Sequence, residues 1–362
     1  MRKIVHVAGA RPNYMKVAPL METLRAVPGV RQVLVDTGQH YDASMAMVFF
    51  RDLALPEPDR NLGVGSGSHA VQTAKVMIGF EEVCLDERPD LVVVVGDVNS
   101  TLAAALVASK LLIPLAHVEA GLRSFDRTMP EEINRIVTDR LADLLLTPSP
   151  DANENLLQEG VGASRIHLVG NIMIDTLCRY LPEARFDRVR NLFPIRKHDY
   201  AVLTLHRPSN VDRGETFLSI LKAISKIGET MPVVFPVHPR TLNRIAEFGL
   251  QPWLNRVLLT EPLGYLDFLS LVVHARIVLT DSGGVQEETT ALGIPCLTLR
   301  ENTERPITVT DGTNRLVGTD TGNIVSGFQE AIDGRSSARI PELWDGKTSV
   351  RITNVIREFL HV

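Results

Sequence analysis

Cysteine is scarce in this chain of 362 residues. Cys84, Cys178 and Cys296 are odd in number and far apart. Such spacing fits buried thiols in a reducing compartment and argues against a disulfide framework or a paired-cysteine metal site. Aromatic residues amount to 5%, too few for base-stacking platforms, and the net charge of −5 comes with no dense basic cluster. A nucleic-acid partner is therefore not expected. No apolar run approaches the roughly 18–20 residues of a membrane span, so no membrane partner is expected either. The opening "MRKIVHVAGARP" reaches Arg11 and Pro12 too soon for a secretory signal, which makes the cytoplasm the expected location. The chain also lacks the GxGxxG fingerprint of nicotinamide and flavin enzymes and the HExxH spacing of a zinc site. Neither a cofactor nor a metal is expected.

What the chain does have is a repeated alternation. Apolar runs such as "KIVHVAGA", "DLVVVVGD", "YAVLTLHRPSN" and "ARIVLTDSGG" are separated by helical patterns. The runs are rich in Val, Ile and Leu without period-two alternation, as parallel strands covered on both faces should be. Strand and helix in series imply right-handed βαβ units and doubly wound sheets. The regularity lapses in "CRYLPEARFDRVRNLFPIRKHD" and then restarts. We read two Rossmann-like α/β domains, residues 1–170 and 171–347, with a last helix from about Thr348 expected to pack back on the first. Two such domains facing one another leave a cleft at the carboxyl ends of their strands, where ligands bind.

The candidate site residues fall just past those strand ends. Arg11 and Lys16 follow the first strand in "AGARPNYMK", Asp97 stands in "GDVNST" and Glu119 in "HVEAG". His206 follows "LTL", His238 follows "FPV", and Asp281 and Ser282 follow "IVLT". One acid at a strand end is more often a helix cap than a catalyst, but a whole set on one side of the sheets is harder to explain as caps. In "DSGGVQEE" a strand runs into Ser282, Gly283 and Gly284, and a helix is expected from about Val285. Glycines there let an anion approach backbone N–H groups at the helix's positive end. Glu287 and Glu288 are expected on that helix's first turn, where a carboxylate can take both ribose hydroxyls; the plainer role is dipole compensation. Arg305 in "ENTERP" is a natural phosphate partner, with a surface ion pair as its plain alternative.

"HVEAGLRSFDRTMPEE" gathers Glu119, Asp126, Glu131 and Glu132 within sixteen residues. Pro130 suits a helix's first turn, so Glu131 and Glu132 are cheaply explained at its positive end. Glu119 is not. Ending an apolar strand, it is expected to be buried, a setting that disfavours its charged form and can prepare an acid and a base from identical groups.

"GARPNYMK", "GDVNST", "HVEAGLRS", "PEEINR", "HRPSN", "PVHPR", "TDSGGVQEE" and "TERP", in this order, resemble the non-hydrolysing UDP-N-acetylglucosamine 2-epimerases over nearly the whole chain. The resemblance implies a GT-B fold, a UDP-sugar substrate, no cofactor, and a homodimer serving polysaccharide biosynthesis. It implies inversion at C2 of UDP-GlcNAc to UDP-ManNAc, by anti elimination of UDP to 2-acetamidoglucal and re-addition. It assigns catalysis to Asp97, Glu119, Glu131 and His206, leaving open which is acid and which is base. Arg11, Lys16, Ser282, Gly283, Gly284 and Arg305 would hold the diphosphate, with His238 in support; Glu288 would hold the ribose, and Phe268 would line the uracil pocket. Gln39, His40 and Gln72 are candidates for an allosteric UDP-GlcNAc site.

The departures leave the sugar and the regulation open. "HRPSN" stands where the family often has "HRRE", and "LWDGKTSVRI" replaces the usual "NPYGDG". A 2-epimerase of UDP-2,3-diacetamido-2,3-dideoxy-glucuronic acid is the nearest alternative. A GT-B glycosyltransferase shares the fold but does not need the acid cluster.

Overall fold

The computed structural model describes residues 1–39, 55–334 and 339–362. His40 lies outside them, as does the side chain of Arg11. The described chain divides into two compact units, Met1–Arg179 with Glu342–Val362, and Tyr180–Pro341.

The first unit holds seven parallel strands: β1 (Arg2–Ala8), β2 (Val30–Asp36), β3 (Arg60–Asn61), β4 (Leu91–Val95), β5 (Leu115–Val118), β6 (Leu144–Thr147) and β7 (Ile166–Leu168). Their order is β3-β2-β1-β4-β5-β6-β7. β4 reads LVVVV and is buried at every position, as a central strand covered on both faces must be. The second unit holds β8 (Ala201–Thr204), β9 (Val233–Pro236), β10 (Val257–Thr260), β11 (Ile277–Thr280), β12 (Cys296–Thr298) and β13 (Asn314–Leu316), ordered β10-β9-β8-β11-β12-β13. Both sheets step outward one way from their first strand and then reverse. Each therefore has a switch point, between β1 and β4 and between β8 and β11, and the crevice beyond the strands' carboxyl ends opens there.

The C-terminal helix Thr348–Leu360 belongs to the first unit. It buries Ile352, Ile356 and Leu360, one stripe at four-residue spacing. Its Thr353 hydroxyl lies 2.7 Å from that of Thr23 on the helix Arg11–Arg25.

Candidate active site

At the first switch point, Asn13 stitches two strand ends together. Its Oδ1 accepts the N–H groups of Gly9 and Ala10 at 3.1 and 3.0 Å, and its amide donates to the Val95 carbonyl at 3.1 Å. A side chain at Gly9 would strike Ser100, whose Oγ would be 2.2 Å from the new Cβ. The first turns of two helices, at Asn13 and Ser100, and the ends of β1 and β4 thus converge closely here, and the acids stand among them.

Glu119 follows β5 with φ at +73°, a left-handed conformation that a non-glycine residue holds at a cost of about 1–3 kcal/mol. The surroundings over-determine it: the N–H groups of Glu119 and Ala120 both donate to the Leu146 carbonyl, at 3.0 and 3.2 Å. Its carboxylate is buried and ion-paired with Lys16, which is buried as well. The apolar strand end expected to isolate this acid instead presents it with a counter-charge. Gly96, also left-handed, leaves room for the pair, since a Cβ there would lie 3.1 Å from the Lys16 Nζ.

Asp97 is partly exposed and takes the Arg135 guanidinium at 2.5 Å, while Asn134 donates to its backbone carbonyl at 2.8 Å. Both partners lie on the helix Pro130–Leu141. The same helix explains the crowd of carboxylates in "HVEAGLRSFDRTMPEE". Glu132 is buried and structural: it accepts the N–H groups of Ser124 and Phe125 at 3.0 and 2.9 Å and pairs with Arg135 at 2.8 Å. Burial alone would raise its carboxyl, but these donors hold it below the usual range. Asp126 closes a turn, accepting from the Thr128 N–H and hydroxyl. Glu131, the helix's first acid, stays half-buried beside them.

A fully buried group ties these turns to one another. Asp139 accepts from His117 Nδ1 at 2.6 Å, from Arg123 at 2.7 Å and from the Gly121 N–H at 3.1 Å. His117 Nε2 faces the Gly96 carbonyl at 2.8 Å. Burial works against the Asp139 carboxylate, and His117 and Arg123 outweigh it, holding its pKa below the usual value. Of the proposed allosteric residues, Gln39 accepts from Ser100 at 2.8 Å, and Gln72 accepts from Asn99 at 2.9 Å.

In the second unit, β8 and β11 pair in register, Thr204 beside Thr280. His206 and Asp281 follow as neighbours, with His206 Nδ1 2.9 Å from Asp281 Oδ1. The helix begins at Gly283, with Ser282 as its N-cap, two residues earlier than expected. Glu287 and Glu288 consequently leave the first turn, which holds no acid, and dipole compensation no longer accounts for them. Glu288 is buried and accepts from the Tyr265 hydroxyl at 3.1 Å. Burial pushes its carboxyl up to about 7; the tyrosine counteracts this, and Glu287 adds to it.

Arg305 lies across the start of the same helix. A Cβ on Gly283 would meet its Nη1 at 2.5 Å, so a side chain here would displace the guanidinium. Arg305 pairs with Glu287 at 2.7 Å and Glu304 at 2.5 Å, and Glu304 also takes Arg300 at 2.8 Å and Arg207 at 3.2 Å. Burial opposes the Glu304 charge, but the three arginines hold its carboxyl well below the usual range. Three guanidinium groups on two carboxylates, beside a helix N-terminus, form a positive cradle suited to an anion. His238 caps the helix Pro239–Glu247 through its Nδ1, and Phe268 packs half-buried against the unit's core. No helix among the described residues is long and apolar enough to cross a membrane.

The family model for UDP-N-acetylglucosamine 2-epimerase matches residues 22–357. The chain is a member of that family. A UDP-N-acetylglucosamine 2-epimerase of Methanocaldococcus jannaschii is 43% identical over 362 residues, covering 98% of both chains. The crystal structure of the Methanocaldococcus jannaschii UDP-GlcNAc 2-epimerase in complex with UDP-GlcNAc and UDP superposes with a TM-score of 0.92, covering 98% of this chain and 99% of the other. A UDP-2,3-diacetamido-2,3-dideoxy-D-glucuronate 2-epimerase of Pseudomonas aeruginosa is 40% identical, over 94% of this chain and 98% of its own. The fold is the GT-B type with two Rossmann-like units, and the family is one of isomerases.

Within this epimerase family member, the first unit brings Lys16, Asp97, Glu119 and Glu131 around one switch point, and the second brings His206, Ser282, Gly283, Gly284, Glu288 and Arg305 around the other. Sequence reasoning passed over Asn13, His117, Arg135, Asp139, Tyr265 and Glu304. Two of them carried a signal. His117 is a polar residue within the apolar strand that leads to Glu119, and Arg135 lies one helical turn beyond Glu131 and Glu132.

Proposed function

We propose that the protein inverts C2 of UDP-N-acetylglucosamine, interconverting it with UDP-N-acetylmannosamine. The nearly full-length likeness to the Methanocaldococcus jannaschii enzyme solved with UDP-GlcNAc and UDP carries this reading. A base removes the C2 proton, UDP leaves in an anti elimination, and 2-acetamidoglucal and UDP stay bound. Reprotonation on the opposite face and re-addition of UDP complete the inversion. In the first unit Asp97, Glu119 and Glu131 serve the proton transfers, with Lys16 and Arg135 setting the charge around two of them. In the second, His206 is the catalytic histidine. There Ser282, Gly283, Gly284 and Arg305 hold the diphosphate and stabilise the negative charge that grows as the glycosidic bond breaks. Arg11 and Lys16 also hold the diphosphate with His238 in support, Glu288 takes the ribose, and Phe268 lines the uracil pocket. Gln39, His40 and Gln72 are the candidates for an allosteric UDP-GlcNAc site. No cofactor takes part, and the enzyme works as a cytoplasmic homodimer in polysaccharide biosynthesis.

A second reading rests on the Pseudomonas aeruginosa relative, whose identity is only slightly lower. In it, the same chemistry acts on the 2,3-diacetamido-2,3-dideoxy uronic acid nucleotide. Proton NMR in D2O distinguishes the two. With UDP-GlcNAc alone, UDP-ManNAc should appear with deuterium at C2. Inversion of only the uronic acid nucleotide would replace the first substrate, and free ManNAc would replace epimerisation by hydrolysis.

A further inference from the structure

Asp281 is fully buried between β8 and β11, while the His206 side chain in front of it is 55% exposed. Every group that meets the Asp281 carboxylate is a donor. The His206 N–H approaches at 3.1 Å, the Arg207 N–H at 3.0 Å and the Asn210 amide at 3.2 Å, and His206 Nδ1 is 2.9 Å away. A carboxylate that only accepts requires a proton on Nδ1. We propose that Asp281 is the positioning residue for His206, holding the imidazole in its Nδ1–H tautomer so that Nε2 faces outward as the nitrogen that works on the substrate.

The carboxylate is itself fixed. Asn210, which orients it, also donates to the Leu299 carbonyl at 2.9 Å, and the Arg207 Nε donates to the Asp281 carbonyl at 2.8 Å. Burial would raise the Asp281 carboxyl, yet the His206 ring and these N–H groups hold it below the usual range, so it remains an acceptor. A neutral imidazole has one donor and one acceptor nitrogen, and the partner of one nitrogen decides the chemistry of the other. With Nδ1 committed, Nε2 is the lone-pair nitrogen, ready to accept a proton or a substrate hydrogen bond.

This inference rests on the reading that His206 acts on the substrate, but its first test does not. Nitrogen-detected NMR of the ligand-free protein, with the His206 signals assigned by their loss in His206→Asn, reads the tautomer directly. The proton should sit on Nδ1 in the parent and move toward Nε2 in Asp281→Asn, whose amide presents a donor to the ring. A parent protein with its proton on Nε2 overturns the proposal, whether or not the variant folds and whatever substrate is turned over. Kinetics then test the consequence. Asp281→Asn should lower kcat by about 100- to 10,000-fold, with KM changed less than about threefold. In the His206→Asn background it should cost no more than about a further threefold, because residues that act as one unit are not additive. A kcat within about fivefold of the parent, or a full additional loss in the double variant, would refute the positioning role.

Discussion

Glu288 carries the clearest pH dependence of any single side chain here. Its carboxyl is pushed up to about 7 from an ordinary value of 4.5, chiefly by burial. Accepting two ribose hydroxyls requires the ionised form. With Glu288 in its proposed role on the ribose, nucleotide binding below about pH 7 should release a proton, and affinity for UDP-GlcNAc should fall about tenfold per pH unit there and level off above. Calorimetry in two buffers of different ionisation enthalpy would register that proton, and a flat affinity would remove Glu288 from the ribose. Stability has the same origin. Between 4.5 and about 7 the folded chain keeps a proton that the unfolded chain has lost, so this group's contribution is present below 4.5 and declines as pH rises through that window. The slope is at most about 1.4 kcal/mol per pH unit, and Glu288→Gln should abolish it in denaturant titrations. A different chemistry governs Glu119. Glu119→Gln should cost at least about a hundredfold in rate, the low end for proton transfer, and a near-normal rate would exclude it from the mechanism. Glu119 was legible because it ends an apolar run, and Glu288 because it follows Ser282, Gly283 and Gly284 on the helix after β11. The Tyr265 that meets Glu288 was not, since it lies 23 residues away on another helix with no spacing to betray it.

Among the elements, the helix Pro130–Leu141 organises the first unit's acids. Its N-terminal turn supplies Glu131, its next turn sends Arg135 to Asp97, and near its far end Asp139 locks His117, Arg123 and the Gly121 N–H. Asp139, His117 and Arg123 are all buried, so removing the Asp139 charge leaves Arg123 with Glu159 and the Leu122 carbonyl, and His117 with the Gly96 carbonyl. Asp139→Asn should cost about 3–5 kcal/mol, the usual penalty for breaking a buried pair, and lower the melting temperature accordingly. A loss under about 1 kcal/mol would show that the cluster contributes little. The parallel strands of this layer announced themselves through unbroken Val and Leu runs, and the alternation with helices was enough to expect doubly wound sheets. The exact helix start after β11 was misjudged for a physical reason. Gly283 and Gly284 read as a loop by propensity, but both lie in the first helical turn, where Arg305 occupies the space a Cβ on Gly283 would need. Tertiary packing of that kind leaves no local pattern.

At the scale of the whole chain, the last helix is anchored by a residue more than 170 positions earlier. The N–H groups of Thr348 and Ser349 donate to the two carboxylate oxygens of Asp175 at 2.9 and 2.7 Å, while Lys347, at the cap position, makes no side-chain cap bond. Asp175 thus caps this helix from another helix, satisfying two of its orphan donors and placing a negative charge at its positive end. Around it the joint is tight. Gly170, with φ at +91°, lets the Leu343 carbonyl pass where a Cβ would be 2.3 Å away, and Trp344 donates to the Pro148 carbonyl at 3.1 Å. The apolar stripe of Ile352, Ile356 and Leu360 is buried beyond the capped first turn, so losing the cap should fray that turn without detaching the helix. Asp175→Ala should therefore cost about 1–2 kcal/mol, as removal of a strong cap does. Amides just inside the helix, from Arg351 to Asn354, should exchange with solvent roughly tenfold faster, and those near Leu360 should hardly change. Uniform acceleration along the helix would mean that Asp175 holds the entire element in place; no acceleration would mean that the stripe alone secures it.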